Sequence, residues 1–135
     1  MDRLTPSLVG ARAELAVATG LLRAGYDVYT PFFSAHSRVD LVACRSSEVL
    51  RLQVKNGRVK SGAVQFRTCS NTGQVHVDYR GEVDAFGVYC PELGLVYLVP
   101  IDAVPLRDAR LRLEPARNGQ HRGVRWAEDY CVGPV

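Results

Sequence analysis

The residues best suited to chemistry lie on two neighbouring apolar segments: Asp40 interrupts the first, and Gln53 and Lys55 belong to the second. Over residues 49–55, period-two alternation places Gln53 and Lys55 on one strand face and leucine and valine on the other. Asp40 stands in an apolar run where β-propensity alone would not select a carboxylate. If a short loop at residues 45–48 joins two paired strands, Asp40 lies beside Gln53 and Lys55 on one face.

A carboxylate, an amide and an ammonium group on adjacent strands suit the hydrolysis of a phosphodiester. Oxygen ligands hold Mg²⁺, and the metal activates water and neutralises the charge that develops on the phosphate. A lysine stabilises or deprotonates the nucleophile. The structural alternative is a cross-strand ion pair with a neighbouring amide on a solvated sheet face.

A fourth polar residue, Glu14, belongs to a helix predicted for residues 6–24, which Pro6 suits in its first turn and Gly25 ends. The apolar face of this helix is expected to contain Gly10, Ala11, Val17, Ala18, Leu21 and Leu22. Glu14 falls on the same face, where a carboxylate is costly to bury unless a cation, a metal or several donors meet it. Glu14 is therefore expected to reach towards Asp40 from the helix, with an arginine partner as the alternative.

The order of an acid at Asp40 and then Gln53-Val54-Lys55 on the next strand resembles the PD-(D/E)XK nucleases, whose pattern is an acid followed by acid-x-lysine. This sequence departs from that pattern at Val39, where the family has proline, and at Gln53, where it has the second acid. The longer stretch resembles the group I intron homing endonuclease branch, in which a QVK strand is typical and an early helix supplies a glutamate. The matching segments lie between roughly residues 8 and 130, at positions 10–14, 25–28, 39–41, 53–55, 83–90, 96–100 and 118–120.

The resemblance implies an α/β restriction-endonuclease-like core with a mixed β-sheet flanked by helices. It also implies an endonuclease that hydrolyses phosphodiester bonds in double-stranded DNA with Mg²⁺ or Mn²⁺. In this interpretation Asp40 is a direct metal ligand, the Val54 carbonyl is a backbone ligand and Glu14 is a second carboxylate near the metal. Lys55 is the catalytic base, and Gln53 ligates weakly or orients water. Because an amide replaces one acid, the two carboxylates must supply the anionic field for the cation.

Two further segments carry side chains that suit contacts with DNA. The loop predicted for residues 56–62 places Arg58 and Lys60 between glycines, where a flexible basic segment grips a phosphate backbone. Residues 67–74 are rich in polar side chains that contact phosphates and base edges. The residues expected to bind DNA are Arg58, Lys60, Arg67, Asn71 and Gln74. A solvated turn and an ordinary exposed loop are the alternatives for the two segments.

The elements that position these residues follow from apolar periodicity and turn signals. Strands are predicted at residues 26–30, 38–44, 49–55, 63–67, 75–79, 84–90 and 95–99, with a further strand at 111–113 and a short closing helix at 124–130. Hairpin loops are predicted at residues 45–48 and 91–94. Tyr79 and Asp84 are expected to support the sheet or the site, with the tyrosine hydrogen-bonded to an acid. His36 and Ser37 are close enough in sequence to Asp40 to approach the phosphate, but no histidine is assigned a catalytic role.

Composition is compatible with one domain spanning residues 1–135, since 47% of the residues are hydrophobic and two cores would each be marginal at this length. The net charge of +3 favours an anionic partner weakly. Four cysteines without metal-ligand spacing predict buried free thiols rather than a zinc site. No secretory signal or membrane span is expected, so a reducing, cytoplasmic setting is predicted.

Cutting both DNA strands usually takes two active sites, so a homodimer or homotetramer is expected. Three alternatives remain at this stage. The first is a Holliday-junction-resolvase-like nuclease that recognises branched DNA. The second is an inactive DNA-binding or assembly module of the same fold. The third alternative is an unrelated α/β protein that binds another protein, in which the polar cluster consists of ordinary surface ion pairs.

Overall fold

The computed structural model describes residues 4–34, 36–72, 75–115, 118–119 and 122–135, with the backbone alone described for residues 70–72 and 75–78. Its helix is α1 (Pro6–Arg23), and two 3-10 helices span Ile101–Ala103 and Ala127–Tyr130. The strands are β1 (Asp27–Tyr29), β2 (Leu41–Arg45), β3 (Glu48–Asn56), β4 (Arg58–Lys60), β5 (Ala63–Arg67), β6 (Cys69–Thr72), β7 (Val75–Asp78), β8 (Ala85–Cys90), β9 (Leu95–Pro100), β10 (Asp108–Arg112) and β11 (Cys131–Pro134).

Six strands form the main sheet in the order β1-β2-β3-β8-β9-β11. The sheet is mixed because β3 pairs with β8 in parallel while every other neighbouring pair is antiparallel. The β2–β3 pairing ends at Leu41 opposite Leu52, although β3 continues to Asn56. One edge of residues 53–56 is therefore left uncovered by β2, and Asp40 lies beside this edge while Gln53 and Lys55 belong to it.

Helix α1 covers one face of the main sheet. Thr5 caps it, since its hydroxyl accepts a hydrogen bond from the Leu8 N–H at 3.2 Å, and Pro6 occupies the first turn. The buried positions are Ala13, Ala16, Val17, Gly20 and Leu21. The predicted apolar face was therefore wrong in part, because Gly10, Ala11, Glu14 and Leu22 are exposed.

Two glycines allow this close helix-to-sheet contact. A Cβ added at Gly20 of α1 would lie 2.9 Å from the Cγ2 atom of Val96, and one at Gly87 of β8 would lie 2.7 Å from the Cγ1 atom of Val17. Both distances are shorter than side chains tolerate, so the valine methyl groups occupy the space that a larger residue would need. The resulting contact holds α1, and with it Glu14, at a defined height over the sheet.

A second sheet, in the order β10-β5-β4, covers the opposite face. Its inward side chains pack with those of the main sheet in a core that includes Val64, Phe66, Phe86, Val88 and Leu111. Strands β4 and β5 are joined by Ser61 and Gly62, whose positive φ angles of 53° and 72° suit a two-residue hairpin turn. The α/β class with a mixed sheet is confirmed, and in the described residues this layer is a sheet where flanking helices were expected.

Several predicted boundaries differ from the structure. The strand predicted at 38–44 begins only at Leu41. At Asp40 the regular backbone pairing with β3 ends, and the Asp40 side chain accepts the next hydrogen bond, from the Val54 N–H. The segment predicted as the loop 56–62 contains strand β4. The predicted closing helix was wrong: residues 127–130 form a single 3-10 turn, and Cys131–Pro134 then pairs with β9 to complete the sheet.

All four cysteines are free thiols, as predicted, but only Cys69 and Cys90 are buried. Cys44 is half-buried and Cys131 is exposed, so burial was wrong for these two. Among the described residues, no helix has the length and apolar content needed to cross a membrane.

Candidate active site

Asp40 lies at the open end of the β2–β3 pair. Its backbone N–H donates to the Leu52 carbonyl at 2.8 Å, and one of its carboxylate oxygens, Oδ2, accepts from the Val54 N–H at 2.8 Å. The side chain thus replaces the strand partner that Val54 lacks beyond the end of β2. Since the N–H and C=O of one residue in an extended strand point to the same side, the Val54 carbonyl is directed to the side where Asp40 lies.

Glu14 and Asp40 share a pocket of about 180 Å³. Its other lining residues are Thr30, Pro31, Ser34 and Val39, from the segment between β1 and β2. Two ion pairs join described residues, Arg38 with Glu82 and Arg51 with Asp84, and Glu14 takes part in neither. The arginine partner considered for Glu14 is not among these pairs.

The two carboxyl groups in this pocket are destabilised as anions. Burial raises the pKa of Glu14, and the charge of Asp40 raises it further. Burial also raises the pKa of Asp40, although the hydrogen bond from Val54 and the charge of Lys55 lower it in part. A cation placed between the two carboxylates would remove both penalties, and this electrostatic arrangement is typical of a metal site.

Lys55 approaches Asp40 from the sheet face opposite α1. Its ammonium nitrogen donates to the Tyr79 hydroxyl oxygen at 3.1 Å and lies 4.6 Å from the centroid of the Tyr79 ring. The guanidinium carbon of Arg38 lies 3.6 Å from the same centroid. Tyr79 therefore contacts two cations, and its hydrogen bond to an acid remains a prediction, since the Lys55 ammonium uses only the acceptor side of its hydroxyl.

Gln53 shares the half-buried face of β3 with Lys55. Its side-chain oxygen, Oε1, is buried and has no hydrogen-bond partner among the described residues. Unpaired buried oxygens are rare in folded proteins because each one carries a desolvation cost. An oxygen of this kind, on the residue before Val54, whose N–H binds Asp40, fits a ligand for a cation or an ordered water.

Similar proteins were found at the levels of sequence family and of structure. The solved structure of a bacterial homing endonuclease, I-Ssp6803I, matches with a TM-score of 0.74 over 95% of this chain and 89% of that chain, at 25% sequence identity. No curated protein matches the chain. A family model described as PD-(D/E)XK endonuclease matches residues 5–132. The chain belongs to the PD-(D/E)XK endonuclease family.

The donors available in this PD-(D/E)XK endonuclease can be compared with what a divalent cation requires. Among the described residues, no group of three or more His, Cys, Asp and Glu side chains is placed to hold a metal ion. A cation bound to Glu14 and Asp40 would need further oxygen donors, and the Gln53 amide oxygen and the Val54 carbonyl are of the right kind. An all-oxygen donor set is the one that Mg²⁺ and Mn²⁺ prefer.

The residues predicted to bind DNA are only partly assembled by the fold of this PD-(D/E)XK endonuclease. Arg58 and Lys60 are exposed on β4, and Arg67 is exposed at the end of β5. They share the outer face of the second sheet, where a pocket of about 320 Å³ is lined by Asn56, Arg58, Gln65, Phe66, Arg67 and Asp108. Asn71 lies in β6 with only its backbone described, and Gln74 lies outside the described residues.

Sequence reasoning missed Arg110 on this face of the PD-(D/E)XK endonuclease. In the antiparallel register, Gln65 stands opposite both Arg58 and Arg110, so the three residues form one row across the sheet. Arg110 is exposed, whereas the neighbouring Arg112 uses its guanidinium to bind the carbonyls of Ser61 and Glu114 at 3.2 Å. The alternation Arg-Leu-Arg-Leu at residues 110–113 was the signal that would have identified this outward position.

The other polar residues near the site have structural partners. Asp84 accepts from the Arg51 N–H at 2.7 Å and from its guanidinium at 3.1 Å, which lowers the pKa of Asp84. Ser37 accepts from the Val39 N–H at 3.1 Å, so this hydroxyl fastens the turn before Asp40. Asp84 was expected to support either the sheet or the site, and these contacts show that it supports the sheet.

Proposed function

We propose that this chain is a Mg²⁺- or Mn²⁺-dependent endonuclease that hydrolyses phosphodiester bonds in double-stranded DNA, with Glu14, Asp40, Gln53 and Lys55 as its catalytic residues. The observation that supports it most strongly is the pocket shared by Glu14 and Asp40, the second of which also binds the Val54 N–H at the uncovered edge of β3. Two carboxylates that repel each other in one pocket are poor structural elements and good ligands for a divalent cation.

Asp40 and Glu14 would hold the cation, with the Val54 carbonyl and the Gln53 side-chain oxygen completing the protein ligands. Asp40 is suited to direct ligation because the Val54 N–H already fixes one of its oxygens. When bound, the metal supplies charge neutralisation at the phosphate and activation of water. Gln53 carries no charge, so both carboxylates are needed to balance the cation.

Lys55 would act on the nucleophile or on the phosphate. Its nitrogen is anchored by the Tyr79 hydroxyl at 3.1 Å and lies close enough to Asp40 to lower the pKa of that carboxyl. As an amine it accepts the proton of the attacking water, and as an ammonium group it stabilises negative charge on the phosphate. Tyr79 would position this nitrogen, since its ring is also held by Arg38.

The outer face of the second sheet would bind the DNA backbone through Arg58, Lys60 and Arg67, with Arg110 extending the basic surface. Pairing of β4 with β5 fixes the spacing of these side chains, so they would meet phosphates without first ordering a loop. Asn71 and Gln74 would contribute further contacts with the DNA.

A homodimer or homotetramer would place two active sites on one duplex and cut both strands. The match to a bacterial homing endonuclease supports a homing-endonuclease-like enzyme with a long, specific target. The alternatives are a junction-resolving nuclease and an inactive DNA-binding module of the same fold. Each of them predicts a different outcome in a DNA cleavage assay.

The test is a nicking assay with Mg²⁺, Mn²⁺ or EDTA on four-way junction DNA and on supercoiled plasmid and linear duplex that carry a library of candidate target sequences. The wild-type chain should cut plasmid and linear duplex only with metal, while Asp40→Asn and Lys55→Ala should still bind DNA without cutting. Asp102→Asn, which removes an exposed carboxylate from a 3-10 helix, is the matched control and should cut like the wild type. DNA binding without any metal-dependent cutting would identify an inactive module, and cutting confined to the junction would identify a resolvase.

A further inference from the structure

Two adjacent phenylalanines are the most exposed large apolar side chains in the described part of the chain. Phe32 is 87% exposed and Phe33 is 92% exposed. Their ring centroids lie 5.0 Å apart with an interplanar angle of 79°, an edge-to-face arrangement. Contiguous apolar surface of this kind marks a contact site more often than an isolated exposed residue does.

The phenylalanine pair is located at the rim of the candidate active site. Phe32 and Phe33 lie between Pro31 and Ser34, both of which line the pocket that contains Glu14 and Asp40. The segment is fastened on its far side, since the Ser37 N–H donates to the Ser34 carbonyl at 2.9 Å. The rings are therefore presented beside the pocket, directly before a hydrogen-bonded turn.

We propose that Phe32 and Phe33 form a wedge that inserts into the base stack of duplex DNA next to the bond that is cut. This inference rests on the proposed function, because it assigns the duplex that the active site would cleave as the partner. Apolar side chains that enter between base steps unstack the bases and kink the duplex. An aromatic ring also stacks on any base, so the contact would not depend on sequence.

The position of the pair favours DNA over a second protein as its partner. A protein surface that buried both rings would also lie across the rim residues Pro31 and Ser34 and obstruct the entrance to the pocket. DNA whose phosphate enters the pocket would bring its own bases to the same rim. The rings carry no charge and cannot bind phosphate, so on a nucleic acid they would contact bases.

Base unstacking can be measured directly at the mapped cleavage site. Cut positions are first located by sequencing the ends of plasmid cut by the wild-type chain with Mg²⁺. Duplexes with 2-aminopurine beside that position are then bound by the Asp40→Asn variant, with and without Phe32→Ala and Phe33→Ala. Leu22→Ala, which truncates a 56% exposed leucine on α1, is the matched control.

The wedge predicts that 2-aminopurine fluorescence rises when Asp40→Asn binds and that this rise is lost with both phenylalanines removed. In the background with Asp40 intact, the double substitution should lower kcat/KM by roughly tenfold or more, whereas Leu22→Ala should have no effect. Cutting and fluorescence that survive the double substitution would reject the wedge and leave the proposed function standing. Conversion of an oligomer to a monomer by the double substitution would reassign the pair to self-association, and a wild-type chain that cuts no DNA would overturn both proposals.

Discussion

The carboxylate of Asp40 accepts the backbone N–H of Val54 at 2.8 Å, so a side chain takes the place of a strand at the end of the β2–β3 pairing. Asp40→Ala should remove cleavage and destabilise the fold by about 1–2 kcal/mol, because the Val54 N–H then loses its acceptor. Asp40→Asn keeps an acceptor oxygen and should remove cleavage while leaving stability close to that of the wild type. Urea unfolding of both variants checks this; equal stability losses would contradict it.

Stability should depend on pH through the carboxyl group of Glu14. Its pKa is raised in the folded chain, so its stabilising contribution is complete below the unfolded pKa of about 4.3 and is lost as pH rises through the folded pKa. Without metal, Glu14→Gln should therefore become more stable relative to the wild type between pH 4 and neutrality, by less than about 1 kcal/mol because solvent screens this partly exposed group. Thermal unfolding in EDTA across this range measures the difference, and a difference that does not change with pH would refute the assignment.

Substitutions at Gln53 should change stability and metal-dependent cleavage independently of each other. Gln53→Leu should cost little stability, because it removes a buried oxygen that has no partner among the described residues, yet it should reduce metal-dependent cleavage. Gln53→Glu should destabilise the metal-free chain by adding charge beside Asp40 and should strengthen metal binding. Unfolding with and without Mg²⁺ distinguishes the two variants, and loss of stability in Gln53→Leu would show that the oxygen has a structural partner.

Two glycines on one helix should respond in opposite ways to the same substitution. Gly20→Ala places a Cβ 2.9 Å from the Cγ2 atom of Val96 and should destabilise the fold by about 1–3 kcal/mol. Gly10→Ala meets nothing within 4 Å and should stabilise it by up to about 1 kcal/mol through helix propensity. Chemical denaturation of the pair checks the close approach of α1 to the sheet, and similar effects at both positions would argue against it.

The basic face of the second sheet should govern the salt dependence of DNA binding. Arg110→Ala removes one exposed cation from the row that contains Arg58, and it should lower the slope of log affinity against log salt by about 1 for one lost phosphate contact. Arg12→Ala removes an exposed arginine from α1 and should leave the slope unchanged. Fluorescence anisotropy with a labelled duplex between low and moderate salt measures both. Equal slopes for the two variants would place the DNA elsewhere.

The parts of the fold that sequence patterns predicted are those in which local chemistry and burial agree. Helix α1 is bounded by Pro6 and Gly25, and the hairpins at 45–48 and 91–94 combine turn residues with flanking apolar runs. Asp40 was identifiable because a carboxylate in an apolar run has few uses other than chemistry. Its pairing with residues 53–55 followed from the short loop between the strands.

The missed features depend on contacts distant in sequence. Strands β4 and β11 are short and rich in charged or turn-forming residues, and only pairing with β5 and β9 makes them extended. The buried face of α1 is set by the fit of Gly20 against Val96 and of Val17 against Gly87, which periodicity alone does not encode. The contact of Tyr79 with Lys55 spans 24 residues and has no local signature.

Ending β2 at Leu41 also has a consequence for solubility. An exposed strand edge invites strand addition from another chain, and proteins commonly protect such edges with charged side chains. Asp40 occupies the hydrogen-bonding position of Val54 and adds a negative charge there, so a residue proposed for catalysis also protects this edge against intermolecular aggregation. Selection against aggregation would then retain an acidic residue at this position even in a relative that no longer cuts DNA.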